Sequence, residues 1–466
     1  MRVRIAVDEG PNQGTSFSFD SRDRLFVGRA REAQLSVDAD KFFSRFHLVI
    51  EVNPPNVYLR DLGSTNGTFV NGSPDRVKEA LLKGGDRVLA GRTVLRIEVD
   101  DPFSSDVQKT TLLGDASDRH ALRFLDLIPM ADGDVRLRHF RRRVRCFRCG
   151  VRAEQETPRP DADVIAFYCA ACRATLLDRP PVVPNLTWVK RVGQGALGAV
   201  HLMTDAAGAQ RAVKIVLPRA AVTRGACDLF IAEAARHATM RHPRILRVDD
   251  CVEIGPGIIA VVMEYVDAPS AAELMRRTNN RPLPPGPSVE IAIQTLQALA
   301  HAHRSGFVHT DVRPAQLLLR RDAAGGPAVK LKGFGLAWSF QACGASGFAQ
   351  LGQAPGALRY LAPEQILSVR RAAPESDQYA VAVTLTKLLT GELPHEFRSD
   401  QDDYVVILEG VRVPLRQRNP ALPASLEAVL ERALDRDPAR RFEDAGRMAD
   451  ALREAMGMGT GMKAAT

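Results

Sequence analysis

No apolar run in this sequence is long. The longest, Ile258-Ile259-Ala260-Val261-Val262-Met263, falls far short of the roughly 18 residues a membrane span requires and reads as a buried strand, so no membrane partner is expected. The amino terminus, MRVRIAVDEG, lacks the apolar core of a secretory signal, and a cytoplasmic protein is the expectation. Cysteine is scarce and odd in number, at seven. Four cysteines form two C-x-x-C pairs, while Cys227, Cys251 and Cys343 are scattered. That pattern argues against a disulfide framework and for one metal site in a reducing compartment.

What is present is ordinary globular composition, 45% apolar and 25% charged over 466 residues, a length that suggests about three domains. The net charge of +8 is uneven, because residues 136–148, RLRHFRRRVRCFR, carry much of it.

Residues 1–100 alternate short apolar runs (RVRIAV, RLFVG, HLVIEV, NVYLRDL) with turn signals such as Asn66-Gly67 and Asn71-Gly72. This is the pattern of an all-β sandwich. Three motifs fall on its loops: Gly28-Arg29, Ser44-Arg45-Phe46-His47, and the run from Gly63 to Gly72, GSTNGTFVNG. A phosphate dianion calls for charge-assisted donors of fixed geometry, which the guanidinium groups of Arg29 and Arg45 and the hydroxyls of Ser44 and Thr65 can supply. In order and spacing these motifs resemble the forkhead-associated (FHA) domain. The resemblance implies binding of phosphothreonine proteins, with Asn66 gripping the peptide backbone and His47 bracing the loop.

Residues 101–135 read as a polar linker. Its Thr110 or Thr111 is a candidate phosphosite for the FHA domain, against the plainer reading of an ordinary tether. Within 136–179, Cys146, Cys149, Cys169 and Cys172 give a C-x2-C-x19-C-x2-C spacing. Each pair can sit on a tight knuckle aimed at one tetrahedral ion, with a hairpin between. The spacing is that of a zinc ribbon with a structural zinc ion, all four positions being filled by protein. The flanking arginines read as a solvated strand face or a docking patch in preference to a nucleic-acid surface.

From 186 to 455 the order of motifs resembles a Hanks-type Ser/Thr protein kinase, an α+β bilobal fold. Gly193, Gly195, Gly198 and Val200 form the glycine-rich phosphate loop, Lys214 sits in Ala-Val-Lys-Ile, and Glu233 matches its helix partner. Met263-Glu264-Tyr265-Val266 resembles the adenine-binding hinge, and His309-Thr310-Asp311 through Gln316 the catalytic loop. The resemblance implies that Lys214, Glu233, Glu264 and Val266 hold ATP, that Asp311 is the base, and that Arg313 and Gln316 replace a lysine and an asparagine. Ala362-Pro363-Glu364 closes the activation segment, with Arg441 the expected partner of Glu364. The magnesium-binding D-F-G reads Gly333-Phe334-Gly335, and glycine offers no side-chain oxygen. Residues 336–361 contain no threonine and Thr310 replaces a phosphate-sensing arginine, so activation-loop threonine phosphorylation is not expected. Lys332, just before the altered motif, lines the pocket floor, crowds Lys214 or points to solvent.

Three readings are open. The first is an FHA reader joined to a pseudokinase scaffold that binds ATP, with or without magnesium. The second is an active Ser/Thr kinase with an atypical metal shell, and the third a nucleic-acid regulator acting through the basic ribbon. The last eleven residues, 456–466, read as a disordered tail.

Overall fold

The computed structural model describes residues 2–54, 56–100, 141–156, 164–195, 198–217, 222–334 and 357–458. The linker with Thr110 and Thr111, Arg136 to Phe140, Ala196, Leu197, Gly335, Cys343 and residues 459–466 lie outside them. Among the described residues no helix is long and apolar enough to cross a membrane.

Two five-stranded sheets form the N-terminal sandwich. One runs in the order Ser16–Phe19, Arg2–Glu9, Thr93–Asp100, Arg87–Ala90, Thr68–Val70, the other Leu35–Ser36, Asp23–Gly28, Leu48–Asn53, Asn56–Asp61, Glu79–Leu82. Between them Val3, Ile5, Leu25, Val27, Leu48, Ile50 and Leu95 make a closed core. Alternation along a strand sends neighbouring residues to opposite faces. Leu25 and Val27 therefore point inward, while Arg24 and Phe26 face the other way, yet all four are buried. The second sheet is covered on both sides.

Two hairpin strands, Arg141–Arg145 and Arg152–Glu156, carry the turn with Cys146 and Cys149. The second cysteine pair differs from the expected knuckle: Cys169 caps, and Cys172 lies within, the helix Ala170–Asp178. This module is fused to the small lobe of the C-terminal domain. The strand Val164–Ala166 pairs with Val222–Thr223 at the entry to the helix Arg224–Ala238, and Tyr168, Leu176 and Leu177 share the core of the small-lobe sheet.

That sheet, in the order Leu186–Gly195, Gly198–Asp205, Gln210–Val216, Ile258–Glu264, Val248–Gly255, and the helix Arg224–Ala238 form the small lobe. The larger lobe is helical, built around Pro285–Arg304 and Pro374–Thr390. The second of these helices is buried nearly all round, polar Ser376, Asp377, Gln378, Thr384 and Thr386 included. The cleft between the lobes receives the end of the strand Ile258–Glu264, the turn 309–316 and the residues after the strand Pro327–Leu331.

Candidate functional site

The floor of the cleft is set by one buried carboxylate. Asp377 accepts from the backbone N–H groups of His309 and Thr310, both at 2.8 Å, and from His303 Nε2 at 2.8 Å. Thr310 has φ +68°, a conformation β-branched residues rarely adopt, so these bonds hold a strained turn in place. His309 donates through Nε2 to the Lys332 carbonyl at 3.0 Å, accepts at Nδ1 from the Asp311 N–H, and stacks edge-on against Phe334 at 4.6 Å. The turn and the 332–334 segment are thus locked together.

Asp311 has both carboxylate oxygens engaged. Arg313 Nε donates to one at 2.8 Å and Gln316 Nε2 to the other at 2.5 Å. Gly333 sits beside this amide with φ +96°, and a Cβ there would lie 2.9 Å from the Gln316 Cδ and Oε1. The longer amide at 316 and the missing side chain at 333 are complementary: one fills the room the other leaves.

Lys214 is in the strand Gln210–Val216, opposite Val200 of the glycine hairpin and Val261 of the next strand. Burial, then the charge of Lys332, bring Lys214 down to about 8, with Asp311 opposing. Burial and the Arg313 charge also lower Lys332. Lys332 is thus half-buried and within charge range of Lys214, not in open solvent. Glu233 is placed elsewhere than its expected pairing: its carboxylate accepts from Arg236 at 3.1 Å on its own helix. Within the hairpin Gly193 lies opposite Val200 and Gly195 opposite Gly198. Glu264 ends its strand and accepts from Lys330 at 2.6 Å and from the Arg247 N–H, with Val266 just beyond at the rear of the cleft.

The sandwich loops converge at its end. A Cβ at Gly28 would lie 2.1 Å from the Arg45 carbonyl oxygen, so only glycine lets these two loops meet. The Ser44 hydroxyl accepts from the Thr65 N–H at 3.1 Å and lies 3.5 Å from the Thr65 hydroxyl. Asn66 Nδ2 donates to the Phe42 carbonyl at 2.7 Å. Buried His47 bridges the loops, accepting at Nδ1 from the Ser44 N–H and donating through Nε2 to the Gly67 carbonyl, and burial lowers its pKa. Arg29 and Arg45 are exposed. Both lie beside these hydroxyls, and among the described residues neither guanidinium has an ion pair.

The four cysteines also meet. Their sulfurs all lie within 4.8 Å of one another, and Cys149 and Cys169 are 3.7 Å apart. A tetrahedral ion with metal–sulfur bonds of about 2.3 Å sets sulfur–sulfur edges of roughly 3.8 Å. Burial pushes the Cys146 thiol up, but N–H groups of Cys169, Cys149 and Arg148 outweigh it and bring it down to about 6, whereas burial and the neighbouring sulfurs push Cys172 up to about 12, so the fit rests on the four-sulfur geometry. The donor set therefore fits one thiolate-binding metal.

Comparison with known proteins matches this division. A family model described as the protein kinase domain matches residues 186–453, and one for the FHA domain matches residues 25–91. The chain is 30% identical over 272 residues to the serine/threonine-protein kinase PknJ of Mycobacterium tuberculosis, covering 57% of this chain and 44% of that protein. It is 31% identical over 255 residues to the serine/threonine-protein kinase PrkC of Bacillus subtilis, covering 54% and 38%. The chain thus spans less than half the length of these relatives. Among solved structures, the PknI kinase domain of Mycobacterium tuberculosis is 29% identical, covering 59% of this chain and 97% of that one, with a TM-score of 0.46.

Proposed function

The chain belongs to the protein kinase domain family and carries an FHA domain, and from that premise we propose a phosphothreonine-reading signalling protein whose kinase-like domain holds ATP with little or no phosphoryl transfer. The observation that carries the second half is the filled metal position. Phosphoryl transfer relies on magnesium bridging the β- and γ-phosphates, since the protein does little covalent work itself. Here Gln316 occupies the space a side chain at 333 would take, and Asp311 is tied to Gln316 and Arg313. The Gln316 amide spends its N–H on Asp311, so its oxygen would be the one side-chain ligand these two positions offer a metal, Gly333 supplying none.

ATP would lie between the glycine hairpin (Gly193, Gly195, Gly198, Val200) and the hinge residues Glu264 and Val266. Lys214 and Lys332 would meet its phosphates. Two half-buried ammonium groups within charge range repel each other, and a polyphosphate would supply a counter-charge. Lys332→Ala is expected to weaken metal-free ATP binding by about 10- to 100-fold, the worth of one charge-assisted hydrogen bond of about 1.5–3 kcal/mol. Calorimetry on the full chain reads this directly, and unchanged affinity sinks the role. Phosphate binding requires the protonated amine. Because Lys214 falls to about 8, affinity is full below that pH and declines as pH rises through it.

The FHA cradle supports binding of phosphothreonine by Arg29, Ser44, Arg45 and Thr65, with Asn66 ordering the adjoining loop. Loss of the Arg45 guanidinium in Arg45→Ala is expected to reduce affinity for phosphothreonine peptides by about 10- to 100-fold. Fluorescence anisotropy with phosphorylated and unphosphorylated peptides checks this, and equal binding of the two removes the assignment.

Cys146, Cys149, Cys169 and Cys172 would hold a structural zinc. The strand Val164–Ala166, between the two pairs, is joined to the entry of the helix Arg224–Ala238, so the ion would brace the small lobe. Chelation is expected to lower the thermal midpoint by about 10 °C, each kcal/mol being worth about 2–4 °C in a domain of this size. Calorimetric scans before and after chelation that superimpose would rule out a structural metal.

A further inference from the structure

The covered outer face of the FHA sheet meets the large lobe of the kinase-like domain. Phe26, Phe46 and Val49 share one apolar cluster with Ile366, Leu367 and Tyr404, and Phe26 packs edge-on against Tyr404 at 5.8 Å. The seam lies against the short helix Pro363–Leu367, in which every residue is buried. The last carbonyls of a helix have no partner within it, so in a buried helix they must find one elsewhere. Here the FHA fold supplies it. Arg24 Nη1 donates to the carbonyls of Gln365 at 3.3 Å and Ile366 at 3.1 Å, and Gln34 Nε2 donates to that of Leu367 at 2.6 Å. Arg24 is 4% exposed. Its charge is met by Glu51 at 3.4 Å, which also accepts from the Tyr404 hydroxyl at 2.8 Å. Matched polar groups among close-packed apolar side chains are the mark of a fixed interface.

The same helix reaches the floor of the cleft through one side chain. Buried Gln365 donates through Nε2 to the Thr310 carbonyl at 3.2 Å, and its Oε1 accepts from the Ala362 N–H at 3.1 Å. Thr310 is the strained residue of the turn, at φ +68°. Asp377 holds its N–H and Gln365 holds its carbonyl. On one side of it His309 carries the bond to the Lys332 carbonyl, and on the other Asp311 engages Gln316 and Arg313. A line of hydrogen bonds therefore runs from the FHA sheet, through Gln365, to the turn beside the nucleotide cleft.

We propose that Arg24, a residue of the FHA fold, is a positioning residue for the nucleotide site of the kinase-like domain. It fixes the end of the helix Pro363–Leu367. Through Gln365 that helix holds Thr310, and with it the turn that places Lys332 and Asp311. The consequence for nucleotide rests on the ATP reading given above, whereas the consequence for the turn does not. The FHA fold is then a brace of the kinase-like domain as well as a reader.

Hydrogen exchange on the full chain tests it. In Arg24→Met, which keeps the stem and removes the donors, amides 309–311 are expected to exchange about fivefold faster, the worth of one hydrogen bond. Amides in the core of the helix Pro285–Arg304 are expected to stay unchanged. Gln365→Met should give the same rise at 309–311, and the double variant no more than either alone, because both act on one line. Gln34→Ala, which frees only the Leu367 carbonyl, takes the place of Arg24→Met should that variant not fold. Unchanged exchange at 309–311 overturns the proposal. An equal rise throughout Pro285–Arg304 also overturns it, since Arg24 would then serve stability alone, as do additive effects in the double variant. Calorimetry without metal supplies the second readout, with ATP affinity expected to fall by up to about fivefold in Arg24→Met. Unaltered affinity beside a loosened turn overturns the link to the nucleotide site. Failure of the unaltered chain to bind ATP removes the nucleotide reading, and the exchange at 309–311 still decides whether Arg24 holds the turn.

Discussion

Substituting Gly333→Asp together with Gln316→Asn is expected to make ATP binding magnesium-dependent and to raise phosphoryl transfer by about 100- to 1,000-fold. That is the usual worth of one charge-stabilising group in a preorganised site. The pair matters because the two positions share one volume. Aspartate alone at 333 brings its Cβ to 2.9 Å from the end of the Gln316 side chain, so that amide must shift before a carboxylate can settle. Shortening 316 by a methylene frees both the room and Asp311. The backbone at 333, with φ +96°, lies beyond the left-handed region that side chains visit, so either variant also carries backbone strain. Gly333→Asp alone is therefore expected to gain little. Radiolabelled phosphate transfer by the single and double variants separates these outcomes, and full gain from the single variant would show that Gln316 is no obstacle.

The second large effect concerns stability. Arg441 is fully enclosed, with its guanidinium fork on Glu364 at 2.7 and 2.9 Å, and it also donates to the carbonyls of Asp435 and Glu375. Arg441→Ala leaves Glu364 buried with Ser376 as its remaining side-chain donor. Breaking a buried pair in this way costs about 3–5 kcal/mol. Glu364 opens the helix Pro363–Leu367, whose Ile366 and Leu367 pack on the FHA sheet, so exchange at that seam is expected to rise as well. Urea denaturation of the single variants and of Glu364→Ala/Arg441→Ala measures the coupling. Additive losses would mean the pair acts as two independent residues.

Local chemistry was the legible part of this molecule. The loop motifs, the cysteine spacing and the kinase motif order are short, and each names its residues directly. Contacts that depend on which neighbour a side chain turns to were not legible. Glu233 has Arg236 one helical turn away, within the i,i+3 reach that helices favour, and the structure places it there instead of on Lys214. The second cysteine pair opens a helix, although two adjacent alanines in Cys169-Ala170-Ala171-Cys172 favour helix over a tight turn. The packing of Gln316 against Gly333 required knowing that the two share space.

The seam between the domains left a signal that alternation alone passes over. Leu25-Phe26-Val27 and Leu48-Val49-Ile50 are apolar at every position, which a sheet with one solvated face does not need. Such unbroken runs in sandwich strands point to a covered outer face, and Phe26 and Val49 are the residues covered.

The most direct test of the account is ATP binding by the full chain, measured by calorimetry with magnesium and again with the metal removed by chelation that spares the zinc. The same affinity is expected in both, because Lys214 and Lys332 provide the positive charge. Binding that appears only with magnesium, accompanied by transfer that Asp311→Ala abolishes, would contradict it and make the chain an active kinase with a rebuilt metal shell.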